Sequence, residues 1–201
     1  VTLFSSSFNG CNDNEEYDGY KIIRKGGRLS VYYHGARYAF KNRKNYDFII
    51  DQVNTIPFFT PLYIPKKKRI GLFHQLCMNV WFYETPFPVS LIGLILEWFY
   101  LKMYFNTRCI AVSESTKKDL EKYAFCKNVL VLENQINFKP LLKPVKKEDS
   151  FCFVGRLKKS KKVHDCIKAL SLVPDVKLYV IGDGDTKYKK ELNKLIERLN
   201  L

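Results

Sequence analysis

The chain has 201 residues, of which 46% are apolar, and carries a formal charge of +14. This length and apolar content exclude a disordered tail and allow one large domain or parts of two. The positive charge would suit nucleic acid, an anionic membrane surface or a phosphorylated substrate, and composition alone does not choose among these partners.

Six cysteines are scattered without the CxxC or CxxH spacing that a zinc site or a redox pair needs. The sequence therefore predicts reduced thiols of a cytosolic protein and no metal site, and no signal peptide is expected. The longest apolar stretch, residues 86–105, is interrupted by Glu97 and Lys102. Because charged residues are costly in a bilayer, we expect a buried or surface-lying helix, with core packing favoured, rather than a membrane span.

Short β-branched runs alternate with helical patterns along the first part of the chain. Strands are predicted at 1–4, 20–24, 46–51, 69–74, 109–112 and 129–132. After the fifth run, Ser113 is placed to cap a helix whose first turn carries Glu114. This alternation predicts a parallel α/β construction.

A proline- and lysine-containing segment at 137–149 lacks periodicity and is predicted to be a linker or domain boundary. A second unit then begins, with strands predicted at 150–154 and 177–182. The helix predicted after the first of these has one apolar face, and so does the helix after the second. These faces are Val163, Cys166, Ile167 and Leu170 in one helix and Tyr188, Leu192, Leu195, Ile196 and Leu199 in the other.

The order of the motifs IAVSESTKKDL, VLVLENQIN, FCFVGRLKKSKK and LYVIGDGDTKYKKEL resembles that of retaining glycosyltransferases of family 4. Upstream, DQVNTIPFFTPLY and FHQLCMNVWFYETPFPVSLIGLILE are similar to the amino-terminal domain of the same family. The resemblance implies the GT-B fold, with a Rossmann-like acceptor-side domain at 1–145 and the start of a nucleotide-sugar-binding domain at 146–201. It also implies that the first domain lacks its opening strand, loop and helix and that the second is truncated, so we expect this chain alone to be inactive.

The same resemblance implies a hexosyltransferase that moves a sugar from a nucleotide-sugar donor to a lipid-linked or polysaccharide acceptor with retained configuration. No cofactor or metal is expected. The implied setting is cell-envelope polysaccharide or glycolipid synthesis in the cytoplasm. The basic excess and the aromatic segment add peripheral attachment to an anionic membrane surface as an expectation.

Arg156 and Lys161 match the phosphate-binding arginine and lysine of the family, and Gly155 is assigned to the same diphosphate site. Physical chemistry independently favours a phosphate site here, because a strand-to-helix turn offers free backbone amides and the helix dipole to an anion. Lys158 and Lys159 are interpreted as solvated charges, as is Lys162, which stands where the family usually has glycine.

Gly182 and Gly184 are predicted to form a tight turn, with a donor-side ligand role as the alternative. His74 ends an apolar strand, where ligands bind in parallel sheets, and the resemblance makes it the candidate catalytic residue; a structural histidine is the alternative. For the aromatic residues Trp81, Phe82, Tyr83 and Phe87, core or interdomain packing is favoured over an acceptor platform.

Two other functions stay open at this point. The charge of +14 is typical of a nucleic-acid-binding protein, although the lysines are spread along the chain and are not interleaved with aromatic residues, so this partner is not favoured. The other alternative is a non-catalytic remnant of a glycosyltransferase.

Overall fold

The structure is a computed structural model that describes residues 1–136, 138–139 and 146–201. The chain divides into two compact units. The first unit comprises Val1–Met78 and Leu91–Gln135, and the second comprises Asn79–Ser90 and Ile136–Leu201. The predicted linker includes residues 137 and 140–145, which lie outside the described residues, so the domain limits 1–145 and 146–201 stay a prediction.

Within the described residues, strands and helices alternate as the sequence predicts. In chain order the elements are β1 (Thr2–Ser5), β2 (Asn14–Tyr17), β3 (Tyr20–Arg24), α1 (Ser30–Asn42), β4 (Ile49–Val53), a 3-10 turn (Thr60–Leu62), β5 (Arg69–Phe73), α2 (Val80–Glu84), α3 (Val89–Lys102), β6 (Arg108–Ala111), α4 (Glu114–Tyr123), β7 (Val129–Val131), β8 (Ser150–Val154), a second 3-10 turn (Lys159–Lys161), α5 (Val163–Leu170), β9 (Lys177–Ile181) and α6 (Thr186–Arg198). Every strand predicted from the sequence is confirmed, with its ends displaced by at most a few residues.

The first unit contains two sheets. Strands β4 to β7 form a wholly parallel sheet in sequence order, with Ile50 opposite Ile70 and Cys109 opposite Val129. In the other sheet β1 and β3 are parallel, and β2 is antiparallel to β3. Parallel neighbours need crossover connections, and α3 and α4 lie in the connections that join β5 to β6 and β6 to β7. The predicted parallel α/β construction is therefore confirmed.

One face of the parallel sheet carries the core of the first unit. The most deeply buried side chains of this core come from β5, β6, α4 and the end of α3: Phe73, Leu101, Tyr104, Cys109, Ala111 and Leu120. Helix α4 begins as the sequence predicts, because the Ser113 side-chain oxygen accepts a hydrogen bond from the Thr116 amide at 3.2 Å. This cap fixes the turn between β6 and α4 at the carboxyl edge of the sheet.

Strand β2 was not expected from the sequence, and it forms a hairpin with β3. Tyr17 lies opposite Tyr20 across a two-residue turn in which Asp18 and Gly19 have φ values of 49° and 76°. Asp-Gly is a preferred sequence for such turns, because both central residues need positive φ. The strand itself is polar and has no alternating apolar pattern, so the turn was its only sequence signal.

The helix expected within residues 86–105 is present as α3, but its outward-facing side chains are not in the core. Leu96 and Phe99 are each 58% exposed, and the aromatic residues before the helix are exposed as well: Phe82, Tyr83 and Phe87. Core packing is therefore wrong for these side chains, and interdomain packing of the three aromatic residues stays a prediction. In the part of the chain that the structure describes, no helix combines enough length and apolarity to cross a bilayer.

The second unit is built on the parallel pair β8 and β9, in which Val154 lies opposite Ile181. Helices α5 and α6 turn their apolar faces toward a common core, as the two predicted faces require. Its buried members are Leu157, Val163, Ile167, Tyr188 and Leu192. Helix α6 is capped by Asp185, whose carboxylate accepts a hydrogen bond from the Tyr188 amide at 3.0 Å. This cap fixes the point at which the loop after β9 ends and α6 begins.

Candidate functional site

The loops that follow β8 and β9 run side by side and extend the strand pairing. The Gly155 amide donates to the Ile181 carbonyl at 3.0 Å, and the Leu157 amide donates to the Asp183 carbonyl at 2.9 Å. Leu157 and Gly184 then form a parallel bridge. The two loops therefore hold one another in place at the carboxyl end of the sheet, where ligands bind in parallel α/β units.

Gly182 and Gly184 are explained by this close approach of two backbones. A Cβ on Gly182 would lie 1.9 Å from the Gly155 carbonyl oxygen, and a Cβ on Gly184 would lie 2.2 Å from the Leu157 carbonyl oxygen. Gly182 also has a φ of 148°, which a side chain disfavours. The tight-turn interpretation accounts for both glycines, and a direct contact with a ligand stays a prediction for them.

Gly155 differs from these two glycines. A Cβ at this position would approach only the Phe153 ring, at 3.5 Å, which is ordinary contact. Packing therefore does not require glycine at 155. The assignment of Gly155 to a diphosphate site stays a prediction, and the open space beside its backbone is compatible with it.

Helix α5 begins without a side-chain cap. Lys162 precedes it with a φ of 53°, in the left-handed region, and provides no side-chain cap. The first-turn amides and the helix dipole of α5 therefore favour an anion at this end. The left-handed conformation also explains why glycine would suit this position better than lysine, since a Cβ is strained there.

Five cations lie between Arg156 and Lys162, and the structure divides them into two groups. Lys158 pairs with Glu84 at 2.8 Å and Lys159 pairs with Glu191 at 3.2 Å, while the Lys162 ammonium lies 5.9 Å from the Tyr83 ring centroid. All three lysines keep solvent contact, as the interpretation of solvated charges expects, and Lys158 and Lys159 in addition form surface ion pairs.

The second group is Arg156 and Lys161. Both side chains are exposed, and within the described residues neither forms an ion pair with a carboxylate. These are the two cations that the sequence assigns to phosphate. The structure thus leaves Arg156 and Lys161 available to a ligand, while Lys158 and Lys159 are already paired with carboxylates. Lys162, which lies near the Tyr83 ring, also has no ion-pair partner in the described residues.

Glu84 is a member of this cluster that the sequence did not reveal. Its carboxylate accepts hydrogen bonds from the Lys158 ammonium, at 2.8 Å, and from the Ser160 hydroxyl. These hydrogen bonds, with the nearby positive charge of Lys158 and Arg156, lower the pKa of Glu84. Glu84 belongs to the aromatic segment around α2, more than seventy residues before its partners, so no local pattern could have connected them.

A cleft of about 250 Å³ lies beside the Lys158–Glu84 pair. It is lined by charged and aromatic side chains of the second unit: Tyr83, Glu84, Lys158, Lys159, Asp185, Lys187, Tyr188 and Glu191. Tyr188, one of the lining residues, contacts a histidine: the His164 Nδ1 atom is 2.8 Å from the Tyr188 hydroxyl oxygen. His164 is therefore half-buried and hydrogen-bonded.

His74 lies in the first unit, immediately after β5. Its carbonyl oxygen accepts a hydrogen bond from the Thr116 hydroxyl at 3.2 Å, and its Nε2 atom is 3.2 Å from the Gln52 Nε2 atom. His74 is half-buried at the carboxyl edge of the parallel sheet, which is the predicted position; its catalytic role stays a prediction.

The other acidic and sulfur-containing side chains do not suggest a metal centre. Across residues 1–136, 138–139 and 146–201, no three His, Cys, Asp or Glu side chains are grouped as metal ligands. Asp51, the buried carboxylate of β4, instead accepts hydrogen bonds from the Phe58 amide at 3.1 Å and from the Thr60 hydroxyl at 2.9 Å. Asp51 therefore fixes the loop that follows β4.

Comparison with known families bears on the second unit. The family model of glycosyl transferases group 1 matches residues 134–201, about a third of the chain. The matched segment contains β8, the cation cluster, α5, β9 and α6. A search of curated proteins found no match to the chain.

Proposed function

We propose that this protein is a glycosyltransferase whose second unit binds the diphosphate of a nucleotide-sugar donor through Arg156 and Lys161. The observation that supports this proposal best is that Arg156 and Lys161, the two cations that the sequence assigns to phosphate, are exposed and have no ion-pair partner in the described residues, whereas Lys158 and Lys159 are paired with carboxylates. The match of residues 134–201 to glycosyl transferases group 1 supports the same reaction class.

The proposed chemistry follows from the charge that develops on the donor. As the glycosidic bond breaks, the departing nucleoside diphosphate gains negative charge. Cations and helix amides that are already positioned at the start of α5 stabilise this charge more in the transition state than in the ground state. This electrostatic role requires no metal ion.

The finer parts of the proposal rest on the sequence resemblance. They are family 4 membership, a GT-B arrangement of Rossmann-like domains, transfer of a hexose with retention and a lipid-linked or saccharide acceptor. His74 is proposed to act at the donor sugar or at an acceptor hydroxyl. The proposed setting is the synthesis of a cell-envelope polysaccharide or glycolipid in the cytoplasm, at an anionic membrane surface.

The test is a binding titration of the 201-residue chain with a panel of nucleoside diphosphates at fixed ionic strength. We expect Arg156→Ala and Lys161→Ala each to weaken binding by roughly 10 to 1000 fold, the range for a lost charge-assisted contact. Lys158→Ala and Lys159→Ala are matched controls and should change binding by about threefold or less, since these lysines already pair with carboxylates.

Equal small effects of all four substitutions would contradict the proposed site. If the effects were equal and nucleic acid bound tightly with a steep salt dependence, a nucleic-acid-binding protein would replace it. If no diphosphate bound to the wild-type chain, the non-catalytic remnant would be the better description.

Glu84 provides a second arm for the same titration. Its carboxylate contributes a negative charge next to Lys158 and Ser160, so it should oppose an incoming diphosphate. We expect Glu84→Gln to strengthen diphosphate binding by about threefold to tenfold, because the substitution removes the charge and keeps a hydrogen-bonding group. Weaker binding by Glu84→Gln would show that this carboxylate supports the ligand instead.

A further inference from the structure

The solvent-facing side of α3 is apolar along its whole length. Its large side chains project into solvent, with exposed fractions from 40% for Leu91 to 58% for Phe99. The members of this surface, called here the α3 outer face, are Leu91, Ile92, Ile95, Leu96, Trp98 and Phe99. Soluble proteins rarely expose so many large apolar side chains together, so this face is expected to bind a partner.

The opposite side of α3 is buried and carries the one carboxylate of the helix. Gly93, Glu97, Tyr100 and Leu101 are buried, at the three- and four-residue spacing of one helix face. Glu97 is 1% exposed, and its two carboxylate oxygens accept hydrogen bonds from the Cys77 and Met78 amides, both at 2.7 Å. The only carboxylate of α3 is therefore turned inward, which leaves the outer face without negative charge.

Lysines lie near the carboxyl end of α3. The Lys102 ammonium lies 3.0 Å from the Trp98 ring centroid and 5.8 Å from that of Phe125, which is itself 58% exposed. The Lys66 ammonium donates to the Asn106 side chain at 3.4 Å, so the exposed pair Lys66 and Lys67 lies next to the end of the helix. An apolar face with a cationic border is complementary to an anionic lipid bilayer.

We propose that the α3 outer face docks on an anionic lipid bilayer, with α3 lying in the plane of the membrane surface. The fourteen residues of α3 extend about 21 Å, which suits a helix that lies on a bilayer rather than one that spans it. Leucine, isoleucine and aromatic side chains enter the headgroup region, while Lys66, Lys67 and Lys102 contact lipid phosphates. This inference deepens the membrane location in the proposed function and does not depend on the donor site.

The first experiment measures co-sedimentation of the full chain with phosphatidylcholine vesicles that do or do not contain phosphatidylserine. We expect binding to the anionic vesicles at low salt and much weaker binding to the neutral ones. The double substitution Leu96→Ser with Phe99→Ser should reduce binding by about 100-fold or more, because two inserted side chains are lost. The double substitution Phe8→Ser with Leu172→Ser removes apolar side chains that are 65% and 82% exposed elsewhere, and should leave binding unchanged.

The charge contribution is tested with Lys66→Gln and Lys67→Gln together. This pair of substitutions should weaken binding to anionic vesicles by about tenfold and leave the binding to neutral vesicles unchanged. In a Trp81→Phe background, Trp98 is the remaining one of the two tryptophans. Its fluorescence should be quenched by lipids that carry bromine on the acyl chains.

Three results would overturn the inference. They are no binding to anionic vesicles at low salt, unchanged binding by the Leu96→Ser and Phe99→Ser chain, or self-association of the wild-type chain that this double substitution abolishes without any vesicle binding. The last result would assign the α3 outer face to a second copy of the chain. Diphosphate titrations of the same variants separate the two proposals, because the α3 substitutions should leave the Arg156-dependent binding intact.

Discussion

Helices α3 and α6 have similar lengths and opposite distributions of polarity. In α6 the buried positions are apolar, with Tyr188 and Leu192 in the core, and the charged side chains face solvent. In α3 the carboxylate of Glu97 is buried and Leu96 is exposed. An apolar stripe therefore predicts which face of a helix avoids water, but it does not predict whether the protein itself or a partner covers that face.

The largest effect is expected from the inward carboxylate of α3. Glu97→Ala would leave the buried Cys77 amide and the half-buried Met78 amide without their acceptor, so we expect it to lower the free energy of unfolding by about 2 to 5 kcal/mol. Equilibrium unfolding in urea measures the change. On α6, Glu191→Ala should cost less than about 0.5 kcal/mol, because the Glu191 side chain is 42% exposed and its partner Lys159 is 58% exposed. A similar cost at both positions would remove the contrast between the helices.

The next effect concerns one leucine on each helix. Leu192 is 5% exposed, so Leu192→Ala should lower the free energy of unfolding by about 2 to 4 kcal/mol through lost burial and a residual cavity. Leu96 is 58% exposed, so Leu96→Ala should change it by less than about 1 kcal/mol in the absence of lipid. Urea unfolding of the two variants tests the difference. If Leu96→Ala were the more costly substitution, the α3 outer face would have to be buried in solution.

The smallest effect is a pH dependence at the start of α6. A hydrogen bond from Lys189, at 2.6 Å, lowers the pKa of Asp183 below its ordinary value of 3.8, and the Gly184 amide adds to the shift. The stabilisation is therefore present above that ordinary value and is lost as the pH falls through the lowered one. Titration of the Asp183 carboxyl by NMR should give a pKa below 3.8, and Lys189→Gln should return it toward the ordinary value. A pKa above 3.8 in the wild-type chain would contradict the ion pair.

The parallel strands and the helices of the second unit were predictable because their signals are local. Period-two and helical patterns at 150–154, 163–170 and 177–182 needed only neighbouring residues. The cap at Ser113 was predictable for the same reason, since the acceptor and the donor lie three residues apart. Hairpin strand β2 was not predicted, because a polar strand has no alternating apolar pattern.

The remaining features depend on contacts that are distant in sequence. The inward position of Glu97 follows from two amides in the loop after β5, and the pairing of Glu84 with Lys158 joins residues 74 positions apart. No single-sequence pattern carries such information. The sequence could identify Arg156 and Lys161 as candidates, but only the structure shows that the carboxylates near them bind other cations.

The three glycines of the β8 and β9 loops illustrate two different reasons why a position can require glycine. In a library that samples every amino acid, Gly182 and Gly184 should tolerate almost no replacement at the level of folded yield, because any Cβ there meets a carbonyl oxygen. Gly155 has room for a methyl group, so Gly155→Ala should be recovered among folded clones. Selection for folding alone would therefore retain two of the three glycines, and a requirement for the third would appear only when the selection demands ligand binding.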